Sequence, residues 1–205
     1  GGMPASVLAY FEDASIRASE EVRASILSTF KDDFGKYGGR VNRGRVETVF
    51  RRLPGTVGSR FKYVNVDREA RSSELAAALD VLCQARIAFR VRHSAANGIP
   101  LGAQAKDSNF KMLFLDVGLM NSSLGLSLLD FESAADILLV NSGAVCEQAV
   151  GQHLLHSGAQ YLEPDLYFWS REKASSAAEV DYVIAAGERV IPVEVKAGTT
   201  GRLKS

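Results

Sequence analysis

Glu179-Val180-Asp181-Tyr182-Val183-Ile184 and Ile191-Pro192-Val193-Glu194-Val195-Lys196 decide how this chain reads. Each run is apolar and short enough for a strand, and Ala186-Gly187-Glu188 between them suits a tight hairpin turn. Residues two apart in a strand share a face, so Glu194 and Lys196 are expected to project together. Asp181 can reach the same side across the ladder. Val180, Val183, Val193 and Val195 are left to anchor both strands in a core. Charges set among so many apolar residues are costly unless they are paired or bind a ligand.

Phosphodiester chemistry is one use for such charges. Two carboxylates can hold a hard divalent cation such as Mg²⁺ through oxygen ligands. The cation polarises a phosphate and lowers the pKa of bound water, and a lysine two residues on can orient that water and balance developing charge. Asp181, Glu194 and Lys196 are therefore the candidate catalytic residues. Glu147, in the helical-looking stretch Gly143-Ala144-Val145-Cys146-Glu147-Gln148, would complete a metal set of Glu147, Asp181 and Glu194. The ordinary alternative is a Glu194–Lys196 surface pair, with Asp181 facing water.

Ahead of the hairpin, the helix Ser142–His156 and a strand reaching Trp169 from Tyr161 or Tyr167 are expected, with a shorter helix near Ser133–Leu138. Asp116-Val117-Gly118-Leu119-Met120 opens this half, which puts a domain boundary at 115/116. The first half reads as helices over Ser6–Gly35, a break at Gly38-Gly39, and a helix over Val46–Leu53 stopped by Pro54-Gly55. Phe61-Lys62-Tyr63-Val64 suits a short strand or an ordered loop. Ser72 and Ser73 are N-cap candidates for a helix carrying Leu75, Leu79 and Leu82. Strands at Ile87–Val91 and Phe110–Leu115 follow. Helix, Pro/Gly turn, amphipathic helix and two strands is the order of a winged helix-turn-helix, whose second helix commonly meets DNA.

Charge supports a polyanionic partner for this half. Residues 1–115 hold 18 Lys and Arg against 12 Asp and Glu, whereas residues 116–205 hold 6 against 12. Such asymmetry points to two functional regions. Arg60, Lys62, Arg68 and Arg71 are the candidate nucleic-acid contacts, with Arg86 nearby on the expected recognition helix. Glu69, Glu74 and Asp80 share the same stretch and argue for a structural or protein-docking role instead. No apolar run approaches the roughly 20 residues of a membrane span, and the start lacks a secretory pattern. A cytoplasmic chain with no membrane partner is expected, its Cys83 and Cys146 reduced and buried. His153 and His156 lie at a spacing that can bind metal, although a solvated helix end is the simpler reading. His93 has no assigned role.

The two strand motifs, ending Pro192-Val193-Glu194-Val195-Lys196-Ala197-Gly198, resemble the core of RecB-like PD-(D/E)xK proteins. With Gly1-Gly2-Met3-Pro4, Arg60-Phe61-Lys62-Tyr63, Lys111 to Leu119, Glu147 with the Leu154-Leu155 helix, and Tyr167-Phe168-Trp169, nearly the whole chain is similar to the C-terminal domain of prokaryotic AAA+-type ATPases. The resemblance implies an α+β chain: a helical, winged-helix-like domain over 1–115, then a PD-(D/E)xK nuclease-like α/β domain over 116–205. That second domain would be truncated, because such domains usually continue with another helix and strand. An ATPase module is expected ahead of residue 1, since no Gly-x-x-x-x-Gly-Lys-[Ser/Thr] loop occurs here and ATP would act only through that module. The implied function is nucleic-acid binding, with Mg²⁺-dependent cleavage. The alternative is a catalytically silent regulatory or protein-binding module of the ATPase.

Overall fold

The computed structural model describes residues 1–37, 41–127, 142–158, 161–171 and 178–197. The expected break at Gly38-Gly39, the helix near 133–138 and the stretch 198–205 lie outside the described residues. The protein is mixed α+β with one mixed sheet. Its packing divides into two units, each built from separate stretches of chain, and this division crosses the boundary expected at 115/116. The first holds the described residues of Gly1–Thr56, Lys62–Phe89 and Phe114–Val140; the second holds those of Val57–Phe61, Arg90–Leu113 and Asn141–Ser205.

The first unit is helical. Helices α1 (Pro4–Asp13), α2 (Ile16–Tyr37), α3 (Arg43–Arg52), α4 (Tyr63–Val66), α5 (Ser72–Gln84) and α6 (Val117–Ser123) supply it. Apolar residues at helical spacing meet in its core, where Phe50 lies 5.0 Å from Phe34 and 5.7 Å from Phe114 between ring centroids. Leu75, Leu79 and Leu82 of α5 are fully buried, as their spacing predicts. Asn42 caps α3 by accepting from the Gly44 amide at 2.8 Å. The capping expectation for α5 is corrected. Arg71 holds the cap position without a side-chain bond, and Ser72 is already helical. Asp116 does not open the second unit. It caps α6 by accepting from the Leu119 amide at 2.9 Å, and its other oxygen accepts from the Gly2 amide at 2.6 Å. Of Phe61-Lys62-Tyr63-Val64, Tyr63 and Val64 begin the single turn of α4, while Phe61 and Lys62 lead into it outside any helix or strand.

The second unit holds the five-stranded sheet, in the order β2-β1-β3-β4-β5, apart from the strand-end residues Ala88, Phe89 and Phe114. Its strands are β1 (Ala88–Ser94), β2 (Ala105–Phe114), β3 (Leu166–Ser170), β4 (Glu179–Ala186) and β5 (Arg189–Val193). The strands expected to make a wing are part of this sheet. β1 pairs in parallel with β3, Val91 opposite Leu166 and His93 opposite Phe168, which makes β1 an interior strand. Its buried Val91 and His93 need cover that a two-stranded wing could not give. Tyr182 pairs with Val193 and Ala186 with Arg189, which confirms the β4–β5 hairpin and its turn at Gly187 (φ +59°). Pro192 is tolerated because β5 lies at the sheet edge. Helix α7 (Ser142–His156) lies in the same unit. Both cysteines are free and half-buried, not fully buried. No helix among the described residues is long and apolar enough to cross a membrane.

Candidate functional site: a lysine inside an acid cluster

A bulge on β4 sets up the site. Tyr167 pairs with Val183 and Trp169 with Val180, so two residues, Asp181 and Tyr182, stand opposite Phe168. The extra residue breaks the strict alternation of a strand. Val180 and Val183, three apart, thereby pack on one face, against the cluster of Leu101 and Tyr167. On the α7 side Gly151 is close-packed: a Cβ there would run into the Tyr182 hydroxyl and fall 2.7 Å from a Leu113 methyl. The absence of that Cβ lets the Tyr182 hydroxyl donate to the Glu147 carbonyl at 2.7 Å. Burial, followed by the nearby Glu147 and Asp181 carboxylates, drives the Tyr182 phenol far above its usual pKa and keeps it a donor.

Lys111 on β2 is the centre of the site. Its side chain is 2% exposed. The ammonium donates to Glu147 Oε1 at 2.9 Å, lies 2.7 Å from Glu179 Oε1 and 3.7 Å from Asp181 Oδ1, and sits 5.4 Å from the centre of the Phe168 ring. Arg60 approaches the other Glu179 oxygen at 3.5 Å. Gly58 (φ +79°) comes so near Glu147 that a Cβ there would lie 3.3 Å from Oε2.

The electrostatics follow from burial. Loss of water alone would lower the pKa of Lys111, but the Glu147 charge and hydrogen bonds to Glu179 and Glu147 together hold it above the ordinary lysine value. Burial pushes Glu147 up; Lys111 pulls it back, while Asp181 and Glu179 push up again, leaving it above the usual carboxylate range. Lys111 and Glu147 therefore both hold their protons more tightly than they would in water.

The sequence-predicted residues fall into separate groups. Glu147 and Asp181 converge, but on a lysine. Glu194 and Lys196 lie just beyond the last residue of β5 and pair with each other, Lys196 half exposed. The hydrogen bond to Glu194 holds the Lys196 ammonium above its usual value. Asp181 spends its second oxygen on the Val195 amide, at 2.8 Å. Glu194 thus stands with its own lysine, outside the cluster that Glu147 and Asp181 share. Among the described residues no three His, Cys, Asp or Glu side chains are grouped to hold a metal ion, His153 and His156 included. With Lys111 at its centre, the donor set does not fit a divalent cation.

The basic candidates also separate. Arg60 belongs to the second unit and is drawn to Glu179, whereas Lys62, Arg68 and Arg71 are exposed in the first. None of them is on α5, which carries Glu74 and Asp80 and no Lys or Arg; Arg86 follows that helix. Sequence reasoning missed Lys111 and Glu179. The signal for Lys111 was a lone charge inside Phe110-Lys111-Met112-Leu113-Phe114-Leu115. It also gave His93 no role. That ring is buried beside Phe168, and its Nε2 donates to the Ser170 carbonyl at 3.1 Å. His93 Nδ1 and the Ser170 hydroxyl have no partner among the described residues.

The chain belongs to the family described as Domain of unknown function (DUF8612), which matches residues 1–130. Residues 142–205 match Domain of unknown function (DUF4143), a domain often found in the C-terminal regions of AAA ATPases. No curated protein and no solved structure matches the chain. Lys111 comes from the stretch matched by the first family, and Glu147, Glu179 and Asp181 from the stretch matched by the second.

Proposed function

We propose that this chain is a catalytically silent regulatory or protein-binding module of a AAA-type ATPase, its acid cluster closed by Lys111 in place of a metal ion. The observation that carries this reading is the position of the Lys111 ammonium, 2.9 Å from Glu147 and 2.7 Å from Glu179. Carboxylates already satisfied by a buried cation are poor ligands for a second one, since binding would require expelling an ammonium whose other carboxylate contacts among the described residues lie in the same cluster. The similarity of residues 142–205 to a domain common in AAA ATPases supports the ATPase context.

Calorimetric titration of the chain with Mg²⁺ and Mn²⁺, beside Asp181→Ala, tests the proposal. The expected result is no heat of binding in either protein and no cleavage of plasmid or single-stranded DNA. Metal binding by the unaltered chain that Asp181→Ala abolishes would overturn it and favour the metal-dependent nuclease reading, with Glu147, Asp181 and Glu194 as ligands and Lys196 beside the attacking water.

A further inference from the structure

The first unit carries a groove of about 630 Å³ lined by Thr48, Arg51, Arg52, Val64, Asn65, Val66, Asp67, Arg68 and Glu69. Three of these are exposed arginines, and none of the three has an ion-pair partner among the described residues. Arg51 and Arg52 end α3, where cations also offset the helix dipole. That cannot explain Arg68, which stands in the connection between α4 and α5 yet lines the same groove.

The acidic residues of the groove do not cancel these charges. One Asp67 oxygen is held by Arg45 at 3.0 Å, and the other accepts from the Glu69 and Ala70 amides at 2.9 and 3.3 Å. Among the described residues, Glu69 is left as the single uncompensated carboxylate in a lining that carries three guanidinium groups. Guanidinium forks match phosphate oxygens, and unpaired ones offer their donors without first breaking a bond. Sequence-independent binding of single strands relies on aromatic side chains on which bases stack. This lining has none.

The geometry points to a phosphate-backbone docking site for duplex DNA at this groove, held by Arg51, Arg52 and Arg68. Such bonds position the duplex without reading its bases. The groove lies wholly within the first unit, so its occupancy is independent of the Lys111 cluster and of whether that cluster binds metal.

The test is fluorescence anisotropy of a labelled mixed-sequence duplex of about 20 base pairs, titrated with the 205-residue chain at several salt concentrations. Affinity should fall linearly with salt on logarithmic axes. Replacing Arg51, Arg52 and Arg68 together by Ala should weaken binding about tenfold or more at low salt, and the slope should flatten by about 0.9 for every phosphate no longer neutralised. Arg68→Ala alone should remove about one such increment. Arg17→Ala, which breaks an exposed pair with Glu21 on α2, should change nothing. Unchanged melting temperatures show that the variants are folded. The proposal is overturned by absence of duplex binding, by equal binding of the arginine variants and the unaltered chain, or by tighter binding of single-stranded DNA. Displacement of the duplex by polyglutamate at equal charge also overturns it, in favour of an acidic protein partner.

Discussion

Lys111 and Lys196 each meet a glutamate, and their surroundings make the two pairs unlike. Lys196 and Glu194 are neighbours in sequence, exposed, and free to trade each other for water. Lys111 is 2% exposed and draws its carboxylates from positions 36, 68 and 70 residues further along the chain. An exposed pair gains little, because water screens the attraction and two long side chains must be ordered. Breaking a buried one strands a charge where water cannot reach. The motif that stands out in the sequence is therefore the energetically light one, and the heavy one is nearly hidden.

The sharpest way to break the comparison is to remove each lysine. Lys111→Ala should destabilise the protein by about 3–5 kcal/mol in urea unfolding, the range for a buried pair losing one partner. A loss near zero would mean that water already enters the cluster. A smaller effect comes from pH. The folded pKa of Lys111 is raised, so its contribution is complete below the ordinary value of 10.5 and is lost as pH rises through the folded value. Stability measured from neutral to strongly alkaline pH should fall more steeply in the unaltered protein than in Lys111→Met. Parallel curves would remove Lys111 as the cause. The smallest effect belongs to Lys196→Ala, which should leave the melting temperature unchanged within error. A clear drop there would show that the Glu194–Lys196 pair is part of the fold after all.

Much of the architecture was legible. Leu75, Leu79 and Leu82 announced α5, and the turn at Ala186-Gly187-Glu188 announced the hairpin. Glu147 and Asp181 were legible as acids meeting at one place. What they meet was not, because a single lysine in β2 has no local pattern and its partners lie far away in the chain. The face occupied by Asp181 was hard to read for a different reason. A period of two fails at the bulge, where Asp181 and Tyr182 share the place of one residue. The wing was misread because local order cannot say which strands will be neighbours; β1 takes β3, more than 70 residues on, as its parallel partner.

Lys111 also has a consequence for how this chain can change over generations. Its charge is supplied by the segment that matches one family, and the carboxylates that need it by the segment that matches another. A recombination that exchanged either segment alone would bring together an ammonium without acids or acids without an ammonium. Drift at Lys111 is tied in the same way to drift at Glu147 and Glu179. Relatives that have lost the lysine are expected to have traded at least one of those acids for a neutral residue, and the two segments are expected to be inherited together.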